Sequence, residues 1–223
     1  MASYNVHRFV GTDQVRDVGR VAEVVRSLSA EVVALQEVAF DERGEDPREL
    51  LEALPGYQAF TAPVLRGDGV RHGNVLLSRL PIVAARRIEL DFERREPRTA
   101  VDVRLATEGR PLRVVATHLG LQPGERRFQV RLILHQVAKE ERSATVLMGD
   151  FNEWFLMGRP LRWLRRRFGP SRYVATFPTW LPVLALDRVW VHPPEALERY
   201  GASVTALSRV ASDHLPVVAE LEL

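Results

Sequence analysis

Apolar runs in this sequence stop repeatedly on ionisable or amide side chains. Val32-Val33-Ala34-Leu35 gives way to Gln36-Glu37, Val114-Val115-Ala116 to Thr117-His118, and Thr145-Val146-Leu147-Met148 to Gly149-Asp150-Phe151-Asn152. Tyr4-Asn5-Val6-His7 closes the first run, Leu186-Asp187 opens a late one, and Ser212-Asp213-His214 opens the last. An ionisable group at the end of a buried strand is costly unless something pairs with it. A fold that gathers these six ends on one rim would bring the carboxylates Glu37, Asp150, Asp187 and Asp213 together with His118, His214, Asn5 and Asn152. Hard oxygen donors of this kind suit magnesium or manganese rather than zinc.

Strand and helix patterns alternate along the whole chain. Val18, Val21, Val25 and Leu28 share one helical face and predict a helix over 15–28, with Asp13 as its N-cap. Further helices are predicted over 47–54, 125–142 and 161–168. Short apolar runs bounded by turn signals predict strands at 31–35, 74–78, 82–90, 100–106, 112–117, 144–148, 186–191, 202–207 and 216–221. With the run through Asn5, that makes nine or ten strands, many joined by tight turns. Two layers of mostly antiparallel sheet with helices outside bury such a pattern, so the expected fold is an α/β/β/α sandwich. No linker or repeat divides the chain, and residues 1–223 are expected to form one domain.

The chain has no cysteine, which excludes disulfides, thiolate metal sites and cysteine nucleophiles. No apolar run approaches the ~20 residues of a membrane span, and Met1 to Val10 shows no secretory pattern. The expected location is cytoplasmic or membrane-peripheral in a bacterium.

The ordered set Asn5, Gln36-Glu37, Gly73-Asn74, Thr117-His118-Leu119, Gly149-Asp150-Phe151-Asn152, Leu186-Asp187 and Ser212-Asp213-His214 resembles the endonuclease/exonuclease/phosphatase superfamily, the deoxyribonuclease I-like proteins. The stretches 118–127 and 149–154 look most like its small bacterial members. The resemblance implies a four-layer sandwich and a divalent-metal-dependent hydrolase of phosphate esters, with Mg2+ or Mn2+ as cofactor. It implies that Asn5, Glu37 and Asp213 hold or face the metal. It makes Asp150 the residue that positions or deprotonates the attacking water, with Asn152 and His118 donating to phosphoryl oxygens. Asp187 would fix the ring of His214 beside the phosphate. Asn74 and Arg98 match weaker positions that contact phosphate. Some nuclease members pair the first histidine with a glutamate, and no clear equivalent is visible for His118. The first strand has little lead-in before Asn5, which predicts a loose edge or a preceding segment.

Between Trp154 and Leu186 there is no Asp or Glu, and six arginines: Arg159, Arg162, Arg165, Arg166, Arg167 and Arg172. Trp154, Phe155, Trp163 and Trp180 lie among them. Three readings fit this composition. It could hold a nucleic-acid backbone and stack bases; it could rest, through 159–172, on an anionic membrane; or it could be an ordinary lid with its aromatics in the core. The expected substrate is a phosphodiester, either nucleic acid or a phospholipid headgroup. The leading reading is a phosphodiesterase or nuclease, and the alternative a phospholipase C-like or sphingomyelinase-like enzyme. A catalytically retired module that holds a phosphorylated ligand is the reading from a different class.

Overall fold

The computed structural model describes residues 1–40, 47–65, 71–109, 111–138 and 144–222. The strands are β1 (Ala2–Asn5), β2 (Val32–Ala39), β3 (Gln58–Leu65), β4 (Arg71–Ser78), β5 (Ile82–Glu89), β6 (Thr99–Leu105), β7 (Leu112–His118), β8 (Ala144–Asp150), β9 (Asp187–His192), β10 (Leu197–Ala202) and β11 (Val217–Leu221). The helices are α1 (Val18–Ser27), α2 (Arg48–Ala53), α3 (Pro123–Ala138), α4 (Arg159–Phe168) and α5 (Ala206–Ala211). One sheet has six strands in the order β10-β11-β1-β2-β4-β3, the other five in the order β5-β6-β7-β8-β9. Among the described residues, only β1–β2 and β7–β8 pair in parallel, and α1 and α3 make the crossovers that parallel pairing requires.

Apolar side chains divide by strand period into three layers of core. Val32 and Ala34 of β2 face Val114, Val146 and Val189 between the sheets. Val33 and Leu35 face outward under Val21, Val25 and Leu50 of α1 and α2. On the other sheet Val115, Leu147 and Trp190 face outward under Val130, Ile133, Leu161 and Phe168 of α3 and α4. Strands covered on both faces read as continuous apolar runs. The result is the expected sandwich, two mixed and mostly antiparallel sheets flanked by helices.

Several local expectations are corrected. Asp17, not Asp13, caps α1 by accepting from the Arg20 N–H; Asp13 instead pairs with the Arg20 guanidinium at 2.6 Å. The strand expected over 202–207 is the end of β10 followed by α5, because Thr205 and Ser208 form a reciprocal capping box that starts a helix there. Strand β3 and most of β10 have no counterpart in the predicted elements. Helix α3 begins at Pro123, and the expected positions 139–142 lie outside the described residues. The first strand is not a loose edge. It lies between β11 and β2, wholly buried, and the Met1 amino group donates to the Ala219 carbonyl at 2.8 Å. Among the described residues, no helix is long and apolar enough to cross a membrane.

Register puts the polar strand ends on one rim. Asn5 is level with Gln36, His118 with Asp150, and Asp150 with Asp187. Parallel strands finish at the edge where their antiparallel neighbours begin, and β1 packs against β8 and β9 across the sandwich.

Candidate active site

Asn5, Glu37 and Asp150 meet at the centre of this rim. The Asn5 side-chain amide donates to Asp150 Oδ2 at 3.1 Å and to Glu37 Oε1 at 3.3 Å. Its Oδ1 accepts from the His7 N–H. Glu37 reaches this point through a β-bulge: Gln36 and Glu37 together oppose Asn74, between the pairs Leu35–Val75 and Val38–Gly73. Glu37 takes φ +55° there, and the extra residue re-aims its side chain. Gly149 supports Asp150 in another way. Its φ is +143°, and a Cβ on it would lie 1.9 Å from the Thr117 carbonyl oxygen.

Asp150 Oδ1 accepts from the Asn152 N–H at 2.9 Å. Asn152 has φ +49°, a region that Asn enters more readily than most residues. Phe151 turns into the core between them. Burial pushes the Asp150 carboxyl up to about 6; Asp187 adds to this, while His214, Asn152 and Asn5 oppose it.

His214 lies on the far side of Asp150, with Nε2 at 3.8 Å from Asp150 Oδ2. Its Nδ1 is 2.8 Å from Asp187 Oδ2, which also accepts from the Thr176 hydroxyl at 2.5 Å. Burial alone disfavours the charged ring. The Asp187 carboxylate more than offsets it, with Asp150 and Asp213 adding, and the His214 pKa is pushed up to about 10. Phe177 covers the ring at 4.8 Å between centroids. The Ser212 hydroxyl ties this loop to β1 by donating to the Asn5 carbonyl at 2.8 Å.

His118 faces the same carboxylates from β7, with Nε2 at 3.6 Å from Asp150 Oδ2 and 4.0 Å from Glu37 Oε1. Burial, and then the neighbouring Arg98, hold its pKa well below the usual histidine range. Arg98 approaches Nδ1 at 3.0 Å. A guanidinium has no acceptor, so Nδ1 accepts and the neutral ring carries its proton on Nε2. The Asn152 amide nitrogen lies 3.0 Å from that Nε2 and donates to the Leu119 carbonyl at 2.9 Å. The His118 Nε2–H therefore faces the carboxylates, and the Asn152 amide stands beside it.

The expected residues fall into two groups. Asn5, Glu37, His118, Asp150, Asn152, Asp187 and His214 form one connected cluster. Asp213 adjoins it at the mouth, 3.9 Å from His7 Nδ1. Asn74 and Arg98 stand behind it. Asn74 donates to the Thr99 carbonyl at 2.7 Å, and Arg98 is spent on His118 and on Glu96, at 2.8 Å. Glu96 also lies 3.4 Å from His72 Nε2. The glutamate sought for His118 is thus reached through an arginine. Thr176, Phe177 and Ser212 hold the His214 side of the site. Thr176 and Phe177 lie in the acid-free segment, where nothing in the sequence marks them.

Asp150, Asp187 and His214 offer ligand atoms within 4.8 Å of one another, enough to coordinate a divalent cation. The donor set fits such an ion more widely. Glu37 Oε1 and Asp150 Oδ2 share one neutral amide, and among the described residues neither has an Arg or Lys partner. Asp187 Oδ1 is buried without a partner.

A family model described as the Endonuclease/Exonuclease/phosphatase family matches residues 2–214. The protein YbhP of Escherichia coli strain K12 is 28% identical over 247 aligned residues, covering 98% of this chain and 94% of its own. The crystal structure of an endonuclease/exonuclease/phosphatase from Beutenbergia cavernae superposes with a TM-score of 0.79 at 24% identity, covering 99% of this chain and 70% of that one. The corresponding structure from Bacteroides vulgatus gives 0.81 at 19% identity, covering 100% and 97%. These likenesses show a shared fold.

Proposed function

This chain belongs to the endonuclease/exonuclease/phosphatase family, and from that premise we propose that it is a Mg2+- or Mn2+-dependent phosphodiesterase. At the coarser level it is a metal-dependent hydrolase of phosphate esters, since the family fold carries a cluster able to coordinate a divalent cation. The observation that supports the finer reading is the facing of donors and carboxylates. Asn152 Nδ2 and His118 Nε2–H stand beside Asp150 and Glu37, so a phosphoryl oxygen and an attacking water each have partners.

Glu37, Asn5 and Asp213 would hold the ion, with Asp150 beside them. His214 is less suited as a ligand because Asp187, with Asp150 and Asp213, favours its protonated ring, whose Nε2 then has no lone pair to offer. When bound, the ion supplies Lewis-acid polarisation of a phosphoryl oxygen. Asp150 Oδ2 orients the water and accepts its proton as the water oxygen bonds to phosphorus and the ester P–O bond breaks. His118 Nε2–H and Asn152 Nδ2–H donate to a non-bridging oxygen as charge develops there. Asp187 keeps the His214 ring protonated and turned towards the phosphate, so His214 acts as a cationic donor rather than as the base. Arg98 positions His118.

Hydrolysis of bis(p-nitrophenyl) phosphate tests this reading. The expected result is turnover that requires Mg2+ or Mn2+ and is lost in His214→Ala. Metal-independent turnover, or turnover that survives in His214→Ala, Asp150→Ala and Glu37→Ala alike, would refute it.

A further inference from the structure

Two loops beside the rim carry exposed apolar side chains. The first follows Asn152 directly: Trp154, Phe155, Leu156 and Met157 are all exposed, Phe155 by 62%. The second is the hairpin tip at Trp180, Leu181 and Val183, with Trp180 exposed by 74%. It is anchored beside the site, since the Thr179 N–H donates to the Asp213 carbonyl at 3.0 Å. The Tyr173 hydroxyl braces it by donating to the Val183 carbonyl.

Beneath the first loop lies a cavity of about 360 Å³ between the starts of α3 and α4. Arg127, Arg159 and Arg162 line it together with Trp154, Phe155 and Met157. None of the three arginines has an ion-pair partner among the described residues, and Arg159 and Arg162 are exposed. The one acid in the lining, Glu153, is buried and paired with Arg126 at 3.2 Å. Helix α4 buries Leu161, Leu164 and Phe168 in the core, so it presents its basic face to solvent and keeps its apolar face.

Charge chooses the partner. The segment is acid-free, so it suits an anionic surface. Its exposed Leu156, Met157, Leu181 and Val183 cannot stack on bases, whereas they can enter an acyl region, with tryptophans at headgroup depth. We propose that these loops dock the enzyme on a bilayer containing anionic phospholipid, with the arginine-lined cavity receiving a headgroup phosphate. This rests on the phosphodiesterase reading and deepens it, because docking there sets the rim carrying Asp150 against lipid headgroups.

The test uses the full chain with Mg2+ and two kinds of vesicle, phosphatidylcholine alone and phosphatidylcholine with phosphatidylglycerol. The expected result is cosedimentation with the anionic vesicles and a blue shift of tryptophan fluorescence. Phe155→Ser/Met157→Ser should weaken partitioning about tenfold or more. Arg159→Ala/Arg162→Ala should reduce the salt-sensitive part of binding. Both variants should keep wild-type turnover of bis(p-nitrophenyl) phosphate and wild-type melting. Absence of binding to either vesicle, binding that neither variant alters, or arginine loss that weakens oligonucleotide but not vesicle binding would each overturn the proposal. Turnover without vesicle binding rejects docking alone; vesicle binding without metal-dependent turnover rejects the hydrolase reading alone.

Discussion

The guanidinium of Arg98 lies 3.0 Å from Nδ1 of His118, and that contact decides which ring nitrogen carries the proton. A histidine held this way is a fixed neutral donor. Glu96 keeps the guanidinium in place from behind. The arrangement resembles a carboxylate–histidine pair with an arginine inserted, and it reverses the tautomer that a direct carboxylate contact would select.

Removing Arg98 should therefore cost rate rather than affinity. Arg98→Met is expected to lower kcat by about 10- to 100-fold, the range known for the outer partners of metal-ligating histidines, with KM little changed. Nitrogen-15 chemical shifts of His118 should show a protonated Nε2 in the wild type and a mixture of tautomers in the variant. Arg98→Lys should recover part of the rate. An unchanged tautomer in Arg98→Met would remove Arg98 from this role.

Metal should stabilise the fold through the same carboxylates it uses. Ligand at about 100 times Kd adds about 2.7 kcal/mol, which raises Tm by about 5–10 °C for a chain of this size. Saturating Mg2+ or Mn2+ is expected to give a rise of that order, measured by calorimetry. Glu37→Gln should abolish most of it, because it keeps the shape but not the charge. Equal shifts in wild type and variant would place the ion elsewhere.

Site legibility and fold legibility have different physical origins. The cluster residues were readable because most of them stand where an apolar run stops, as Glu37 does after Leu35 and Asp150 after Met148, although β2 itself continues past Glu37 to Ala39. The strands passed over, β3 and β10, are the two edges of the six-stranded sheet. Edge strands lack a second partner and carry polar residues and proline, as in Gln58–Leu65 with its Pro63 and in Leu197-Glu198-Arg199-Tyr200. Helix α5 has six residues, too few for periodicity to register. The contacts of Arg98 with His118 and of Thr176 with Asp187 join residues from separate strands and loops, and only the folded rim brings them together.

The His214–Asp187 pair predicts how stability varies with pH in the metal-free protein. The His214 pKa is raised from 6.5 to about 10, so its contribution is complete below pH 6.5 and is lost as pH rises to about 10. Thermal stability should fall across that window. Asp187→Asn should lower stability below pH 6.5 and flatten the alkaline decline. Asp150 acts lower down: its pKa is raised from 3.8 to about 6, so stability is also lost as pH rises through that range, and Asp150→Asn should remove this component. Melting temperatures from pH 4 to 10 for the three proteins separate the two windows, and an alkaline slope identical in wild type and Asp187→Asn would contradict the assignment.

The buried pair of Arg126 and Glu153 holds the loop that starts at Asn152. Arg126 Nε lies 3.2 Å from Glu153 Oε2, with both side chains almost wholly buried. The same guanidinium donates to the Leu121 carbonyl and lies 5.0 Å from the Trp154 ring centroid. Glu153 Oε1 accepts from the Phe155 N–H at 3.2 Å. Truncating one partner of such a pair strands a charge in the interior and typically costs about 3–5 kcal/mol. Glu153→Ala is expected to destabilise by that amount and to shift Trp154 fluorescence, as the indole loses its fixed cation. Replacing both partners with apolar residues, Arg126→Met with Glu153→Leu, removes the stranded charge and should recover most of the stability. The recovery distinguishes charge from packing: if the double variant melts no higher than Glu153→Ala, the loss came from the cavity and the lost loop contacts, and the ion pair itself contributes little.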